Sequence, residues 1–142
     1  MMKEKSTRRK CMFLDANIFI YAYLGSGERK THSCRKLLDK INIGEQRATT
    51  SALVAEEVLH IFLSMRGKSF AFRVLKNIIE NPNLEVLPLD EKALTLSSEF
   101  IEAGLGSADA LHAATMKANG ETTICSFDRG FDSAPGLRRK EP

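Results

Sequence analysis

The stretch from Cys11 to Ile20 constrains the fold of this chain more than any other. An apolar run of strand length, Cys11–Leu14, ends at Asp15, and an amphipathic run begins two residues later at Asn17. In an α/β protein this pattern is typical of a first strand that delivers a carboxylate to the C-terminal edge of a parallel sheet, where ligands bind. Asp15 also has a purely structural explanation, because an aspartate before a helix caps its free N–H groups.

The rest of the chain repeats the alternation of strand and helix. Further strands are predicted at Arg47–Thr50, Leu84–Leu87 and Thr122–Cys125, with a fifth around Leu137–Lys140. Helices are predicted over Asn17–Leu24, Lys30–Ile41, Ala52–Met65, Ser69–Glu80, from the capping residue Asp90 to Ala103, and over Ala108–Ala118. Strands that alternate with helices favour a central parallel sheet of four to five strands covered on both faces, a three-layer α/β/α arrangement.

Length and composition favour one globular domain. The chain has 142 residues, of which 43% are hydrophobic, enough for a single core. We interpret residues 1–10 as a flexible basic arm and residues 11–142 as the domain. No apolar run approaches the roughly 20 residues that a membrane helix needs, and no signal-peptide pattern follows the basic start. We therefore expect a cytoplasmic protein with no membrane partner.

The net charge and the spacing of cysteine and histidine limit the partners, metal sites and catalytic mechanisms that we expect. A net charge of +3 and a pI near 8.8 permit a polyanionic partner without requiring one. The three cysteines include no C-x-x-C pair, and the three histidines, His32, His60 and His112, have no metal-ligand spacing. These patterns show no zinc-site spacing and give no support to a thiol or imidazole mechanism.

Three aspartates fall at equivalent places in the predicted sheet. Asp15 follows the first strand, Asp128 follows the fourth, and Asp109 lies in the first turn of the alanine-rich helix after Ser107. Separately, Asp128 is also explained by a turn, and Asp109 by the helix dipole. Together they project toward one edge of a right-handed α/β sheet, which favours a shared site.

A further acid comes from the helix Ala52–Met65, which is so apolar that we expect it to be buried. Its polar residues form one narrow stripe of Glu56, Glu57, His60 and Ser64. Both glutamates lie on that stripe, so helix geometry alone does not choose between them.

A cluster of carboxylates repels itself unless a cation neutralises it. Ligation by oxygen alone, without histidine or cysteine, favours Mg²⁺ or Mn²⁺. Because magnesium keeps several waters and binds phosphate oxygens, phosphodiester chemistry is the natural use of such a site.

Four segments in order resemble the motifs of the PIN-domain nucleases, a family that includes the VapC-type toxins. The segments are Phe13–Asn17, Ser51–Glu57, Ser107–Ala114 and Ser126–Asp132. The resemblance runs from Cys11 to Asp132, nearly the whole chain. It implies a Rossmann-like sheet and Mg²⁺- or Mn²⁺-dependent cleavage of single-stranded RNA.

The same resemblance assigns roles by motif position. It places the catalytic and metal-binding acids at Asp15, Glu57, Asp109 and Asp128, and supporting polar groups at Asn17 and Ser126. It chooses Glu57 over Glu56 because the family's acid falls six residues after the serine. It also makes a small antitoxin protein and a second copy of the chain the candidate protein partners, while the role of Asp132 stays open.

The alternatives belong to other functional classes. A catalytically inactive PIN-like module would bind RNA or protein without cutting, but an inactive copy has no reason to keep a repulsive carboxylate set. A receiver-type phosphoacceptor domain would need a lysine after a late strand, and none follows Thr122–Cys125. A haloacid-dehalogenase-like phosphatase would need an aspartate where Asn17 stands.

Overall fold

The computed structural model describes residues 11–142, so the predicted basic arm lies outside the described residues. The strands are β1 (Met12–Leu14), β2 (Ala48–Ser51), β3 (Leu84–Leu87), β4 (Thr123–Cys125) and β5 (Arg138–Lys140). The helices are α1 (Ala16–Leu24), α2 (Arg29–Asn42), α3 (Ala52–Arg66), α4 (Lys68–Glu80), α5 (Glu91–Glu102) and α6 (Ser107–Ala118). A 3-10 helix, Arg129–Ser133, lies between β4 and β5.

All five strands run parallel, in the order β3-β2-β1-β4-β5. The chain steps outward from β1 to β3 and then crosses back to β4, so the strand order reverses between β1 and β4. Right-handed crossovers place the helices before β3 on one face of the sheet, and α5 and α6 on the other. The predicted three-layer α/β fold with a parallel sheet is confirmed, including its fifth strand.

The central strands are buried because helices cover both of their faces. Phe13, Leu14, Ile124 and Cys125 have no exposed surface. This is why β1 and β4 read as short continuous apolar runs instead of alternating ones. A rigid, fully buried pair of strands fixes the backbone positions from which the next polar residues leave the sheet.

The expectation that α3 is buried apart from its polar stripe is wrong for its C-terminal turns. Val54, Val58 and Phe62 face the core, but Met65 is 63% exposed and Leu63 is 39% exposed. The helix packs mainly against α4, with which it forms an α3–α4 hairpin, and one side of it is left uncovered. None of the helices in residues 11–142 is long and apolar enough to span a bilayer.

Candidate active site

Asp15 and Ser126 leave neighbouring strands side by side. In the parallel register Leu14 is opposite Cys125, so the next residue of each strand emerges at the same point of the sheet edge. The Asp15 N–H donates to the Cys125 carbonyl at 3.1 Å. The Ser126 Oγ–H donates to Asp15 Oδ2 at 2.6 Å. This point is where the strand order reverses, the usual place for a ligand in an open α/β sheet.

Asp15 caps α1 and also lies at the sheet edge, so the helix cap and the edge position that the sequence suggested occur together. Its Oδ1 accepts the Ala16 N–H at 2.8 Å and caps α1. The residue is only 6% exposed, and this burial raises the pKa of the Asp15 carboxyl. The hydrogen bond from Ser126 works against the rise, while the charge of Glu57 adds to it.

Ser126 organises the polar groups around Asp15. Its Oγ accepts the backbone N–H of Asp128 at 3.0 Å and the Asn17 Nδ2–H at 3.3 Å. The same amide group lies 3.4 Å from Asp15 Oδ2. The other end of that amide, Asn17 Oδ1, is buried and has no hydrogen-bond partner among the described residues. A buried bare carbonyl oxygen beside a carboxylate is a group that a cation or its bound water would satisfy.

Asp109 and Asp128 bring two more carboxylates together. Asp109 lies in the first turn of α6, half-buried, and its carboxyl is within hydrogen-bonding reach of Asp128. Burial first, and then the proximity of Asp128 and Asp15, raises the pKa of Asp109 to about 6. Asp128 is exposed and accepts the Gly130 N–H at 2.8 Å, so it also makes the turn that its sequence suggested.

Glu57 meets a histidine that sequence reasoning left without a role. His112 is 1% exposed, and its Nε2 lies 2.8 Å from Glu57 Oε1. The neighbouring Glu56 is exposed and makes no such contact. The available signal was the spacing of Asp109 and His112, because residues three apart share one face of a helix. Its partner, 55 residues earlier, could not be read from that spacing.

Asp132 pairs with an arginine at the margin of the sheet. Arg139 Nε donates to Asp132 Oδ1 at 2.9 Å, and Arg139 Nη1 donates to the Ser126 carbonyl at 3.1 Å. The arginine therefore ties the turn after β4 to β5. The nearby Cys125 thiol is buried, which raises its pKa to about 12 and keeps it protonated and unreactive.

The residues present fit a hard divalent cation that retains its own waters. Within residues 11–142, no three His, Cys, Asp or Glu side chains are arranged to close around one ion. Magnesium does not need such a cage, because it is commonly held by one or two carboxylates while waters and substrate phosphates complete its octahedron. The oxygen-only donors, the adjacent Asp109 and Asp128 carboxyls and the bare Asn17 oxygen suit this mode.

Known proteins resemble this chain in sequence and in fold. The sequence profile of the PIN domain family matches residues 12–137. Ribonuclease VapC13 of Mycobacterium tuberculosis is 29% identical over 133 residues, which cover 90% of this chain and 98% of that protein.

Two solved structures share the fold. VapC20 of Mycobacterium tuberculosis, a sarcin-ricin loop cleaving toxin, superposes with a TM-score of 0.74 at 18% identity, covering 92% of this chain and 99% of the other. A toxin–antitoxin complex from Klebsiella pneumoniae contains a chain with a TM-score of 0.67 at 16% identity, covering 92% and 99%. The profile match spans most of the sequence, and the chain therefore belongs to the PIN domain family.

Proposed function

We propose that this protein is an endoribonuclease that hydrolyses phosphodiester bonds of single-stranded RNA with Mg²⁺ or Mn²⁺, and that it is the toxin of a toxin–antitoxin pair. The observation that carries the proposal is the gathering of Asp15, Asp109 and Asp128 at the point where the strand order reverses. The similarity to Ribonuclease VapC13 supports the reaction class.

The electrostatics of the acids support a cation. Asp109 has a raised pKa because burial and the Asp128 and Asp15 charges disfavour its ionised form. Repulsion within such a cluster destabilises the folded state unless a cation compensates the charge. In this proposal Asp15, Asp109 and Asp128 share the ion, in part through the waters that it retains. A bound ion of this kind supplies charge compensation for the phosphate and a more acidic water.

The chain's other polar groups position the reacting ones. Glu57 serves as a further ligand or as the base for the attacking water. In this proposal the Nε2–H of His112 donates to Glu57 Oε1 and orients that side chain. Ser126 and Asn17 orient Asp15 in the same way. Attack by water on phosphorus, with the 3′-oxygen as the leaving group, would leave a 5′-phosphate and a 3′-hydroxyl.

The cleavage assay that tests this function uses purified protein and end-labelled single-stranded RNA. We expect cleavage with Mn²⁺ or Mg²⁺, none in EDTA, and recovery when the metal is restored in excess. The Asp15→Asn variant provides the matched inactive control, because it removes one charge and keeps an oxygen that can cap α1. Equal cleavage in EDTA, or by Asp15→Asn, would contradict the proposal.

An antitoxin is the proposed protein partner. The solved Klebsiella pneumoniae toxin–antitoxin complex contains a chain of this fold, which supports the assignment. The α3–α4 hairpin leaves apolar side chains uncovered, among them Met65, Phe72 and Ile79 at 63%, 58% and 61% exposure. Apolar clusters of this kind mark protein contact surfaces, and either an antitoxin or a second copy of the chain would bury them.

Co-expression with the product of the adjacent reading frame should yield a complex that no longer cuts RNA. Unchanged cleavage by the co-expressed protein would contradict the toxin assignment.

A further inference from the structure

Three lysines lie along one face of α2. Lys30, Ser33, Lys36 and Lys40 recur at intervals of three or four residues, which places them on one side of the helix. The distance along the helix from Lys30 to Lys40 is about 15 Å. This row of positive charge is long enough to follow a short run of nucleotides.

The C-terminal part of the lysine row lines a groove, named here the α2–β5 groove. It has a volume of about 380 Å³, and Lys36 and Lys40 line it together with Lys140 from the end of β5. Met12 and Cys125, on the central strands, also line it. The groove therefore lies over β1, β4 and β5. Asp15 directly follows β1, and Ser126 directly follows β4.

The positive charge of the lysine row and of the groove is not neutralised by acidic side chains of the protein. Lys30, Lys36, Lys40 and Lys140 are exposed, and within residues 11–142 none of them forms an ion pair. Elsewhere Lys76 and Lys117 do pair with glutamates. The acidic side chain that lines the groove, Glu141, is held by Arg139 at 2.8 Å.

An aromatic pair lies beside Lys30, at the N-terminal end of the lysine row. Lys30 Nζ lies 4.9 Å from the ring centroid of Phe127 and 5.4 Å from that of Tyr21. The two rings pack edge to face with their centroids 5.3 Å apart, and both are partly exposed. Phe127 stands between Ser126 and Asp128 in the chain, so this end of the lysine row adjoins the candidate active site.

We propose that the α2–β5 groove binds the phosphates of single-stranded RNA on one side of the cleaved bond, with a base against Tyr21 and Phe127. This inference rests on the proposed function for its substrate class. Unpaired lysines that track a backbone, next to aromatic rings on which a base stacks, are the elements of single-strand binding. An acidic peptide would use the lysines but has no need of the rings.

The test measures binding without cleavage. A fluorescein-labelled single-stranded RNA of about 12 nucleotides is titrated in EDTA at several salt concentrations, and the anisotropy gives Kd. The groove variant is Lys36→Gln/Lys40→Gln/Lys140→Gln. The control variant, Lys68→Gln/Lys76→Gln/Lys92→Gln, removes the same charge from exposed sites on α4 and α5. Melting curves establish that both variants fold.

We expect the groove variant to bind at least about tenfold more weakly, with a salt dependence shallower by about 2 in log–log slope. The control variant should keep the wild-type slope. Tyr21→Leu should weaken binding by about fivefold or more without changing the slope, because stacking is not ionic.

Three results would overturn the inference: equal weakening in the groove and control variants, an unchanged slope in the groove variant, or an equally tight groove-dependent complex with a labelled polyglutamate peptide. Because binding in EDTA needs no catalysis, it is separable from the proposed function. Groove-dependent binding without metal-dependent cutting contradicts only the nuclease proposal, and cutting without groove-dependent binding contradicts only this inference.

Discussion

At the scale of single residues, Glu56 and Glu57 show what the environment adds to identical chemistry. Both lie on one polar stripe of α3, yet only Glu57 contacts His112 while Glu56 is exposed. We predict that Glu57→Gln abolishes cleavage and that Glu56→Gln keeps most of it, as measured by initial rates on labelled RNA. A larger loss in Glu56→Gln would mean that α3 presents its other acid to the substrate.

The raised pKa of Asp109 makes stability depend on pH in a defined direction. Its folded pKa of about 6 exceeds the ordinary value of 3.8, so the folded state binds more protons between these values and stability falls as the pH rises through them. Asp109→Asn should therefore be more stable than wild type at pH 7 without metal, by about 1 kcal/mol after solvent screening of this half-exposed group.

Melting curves without metal check this prediction. The difference in stability between wild type and Asp109→Asn should vanish as the pH falls below about 4, where Asp109 is protonated in both the folded and the unfolded protein. Mn²⁺ should raise the melting temperature of wild type more than that of the variant, since a ligand of the folded state alone stabilises it. A variant less stable than wild type at pH 7 would show that the Asp109 charge is already compensated.

His112 acts, in this account, through Glu57. His112→Leu keeps the apolar volume but removes the Nε2–H donor, so we predict a fall in kcat of about 10- to 100-fold with little change in KM. His112→Gln retains an N–H donor and should recover most of the loss. If the two variants lose equal activity, or if activity merely follows their melting temperatures, the contact serves packing alone.

At the scale of elements, Arg139 joins β5 to the turn that carries Ser126 and Asp128. Its guanidinium donates to the Ser126 carbonyl and to Asp132. Arg139→Met should lower the free energy of unfolding by about 1 kcal/mol or more, because it removes a hydrogen bond to a partly buried carbonyl. Asp132→Asn breaks only an exposed ion pair and should cost less. Urea unfolding compares the two, and an equal loss would place the whole effect in the ion pair.

The ends of the strands could be predicted from the sequence, whereas the packing of the helices could not. The ends of β1 and β4 could be predicted because a short apolar run stops at a polar residue in each case, at Asp15 and at Ser126. The exposure of Leu63 and Met65 could not be predicted, because α3 carries apolar residues on nearly all of its sides. Its hydrophobic pattern therefore does not say which side the fold covers. The contact of Glu57 with His112 depends on how α3 and α6 pack, which no local pattern encodes.

At the scale of the whole molecule, the sheet order brings the separate acids to one edge of the sheet. Each carboxylate has an ordinary local role, such as the helix cap of Asp15 and the turn of Asp128. Only the return of the chain from β3 to β4 places them at a common edge. This arrangement could be expected from the alternation of strands and helices, because handedness leaves few other topologies. The α2–β5 groove escaped prediction because its lysines come from opposite ends of the chain.

The chemical identity of the fragment ends distinguishes hydrolysis by water from attack by the ribose hydroxyl. Wild type and Asp109→Asn are incubated with labelled single-stranded RNA and Mn²⁺, and the products are analysed for 5′-phosphate, 3′-hydroxyl and 2′,3′-cyclic phosphate. Hydrolysis by a water among Asp15, Glu57, Asp109 and Asp128 predicts 5′-phosphate and 3′-hydroxyl ends from wild type, and no products from a folded Asp109→Asn. Cyclic phosphate ends would contradict the account, because they require the ribose hydroxyl as the nucleophile, and so would full activity of Asp109→Asn.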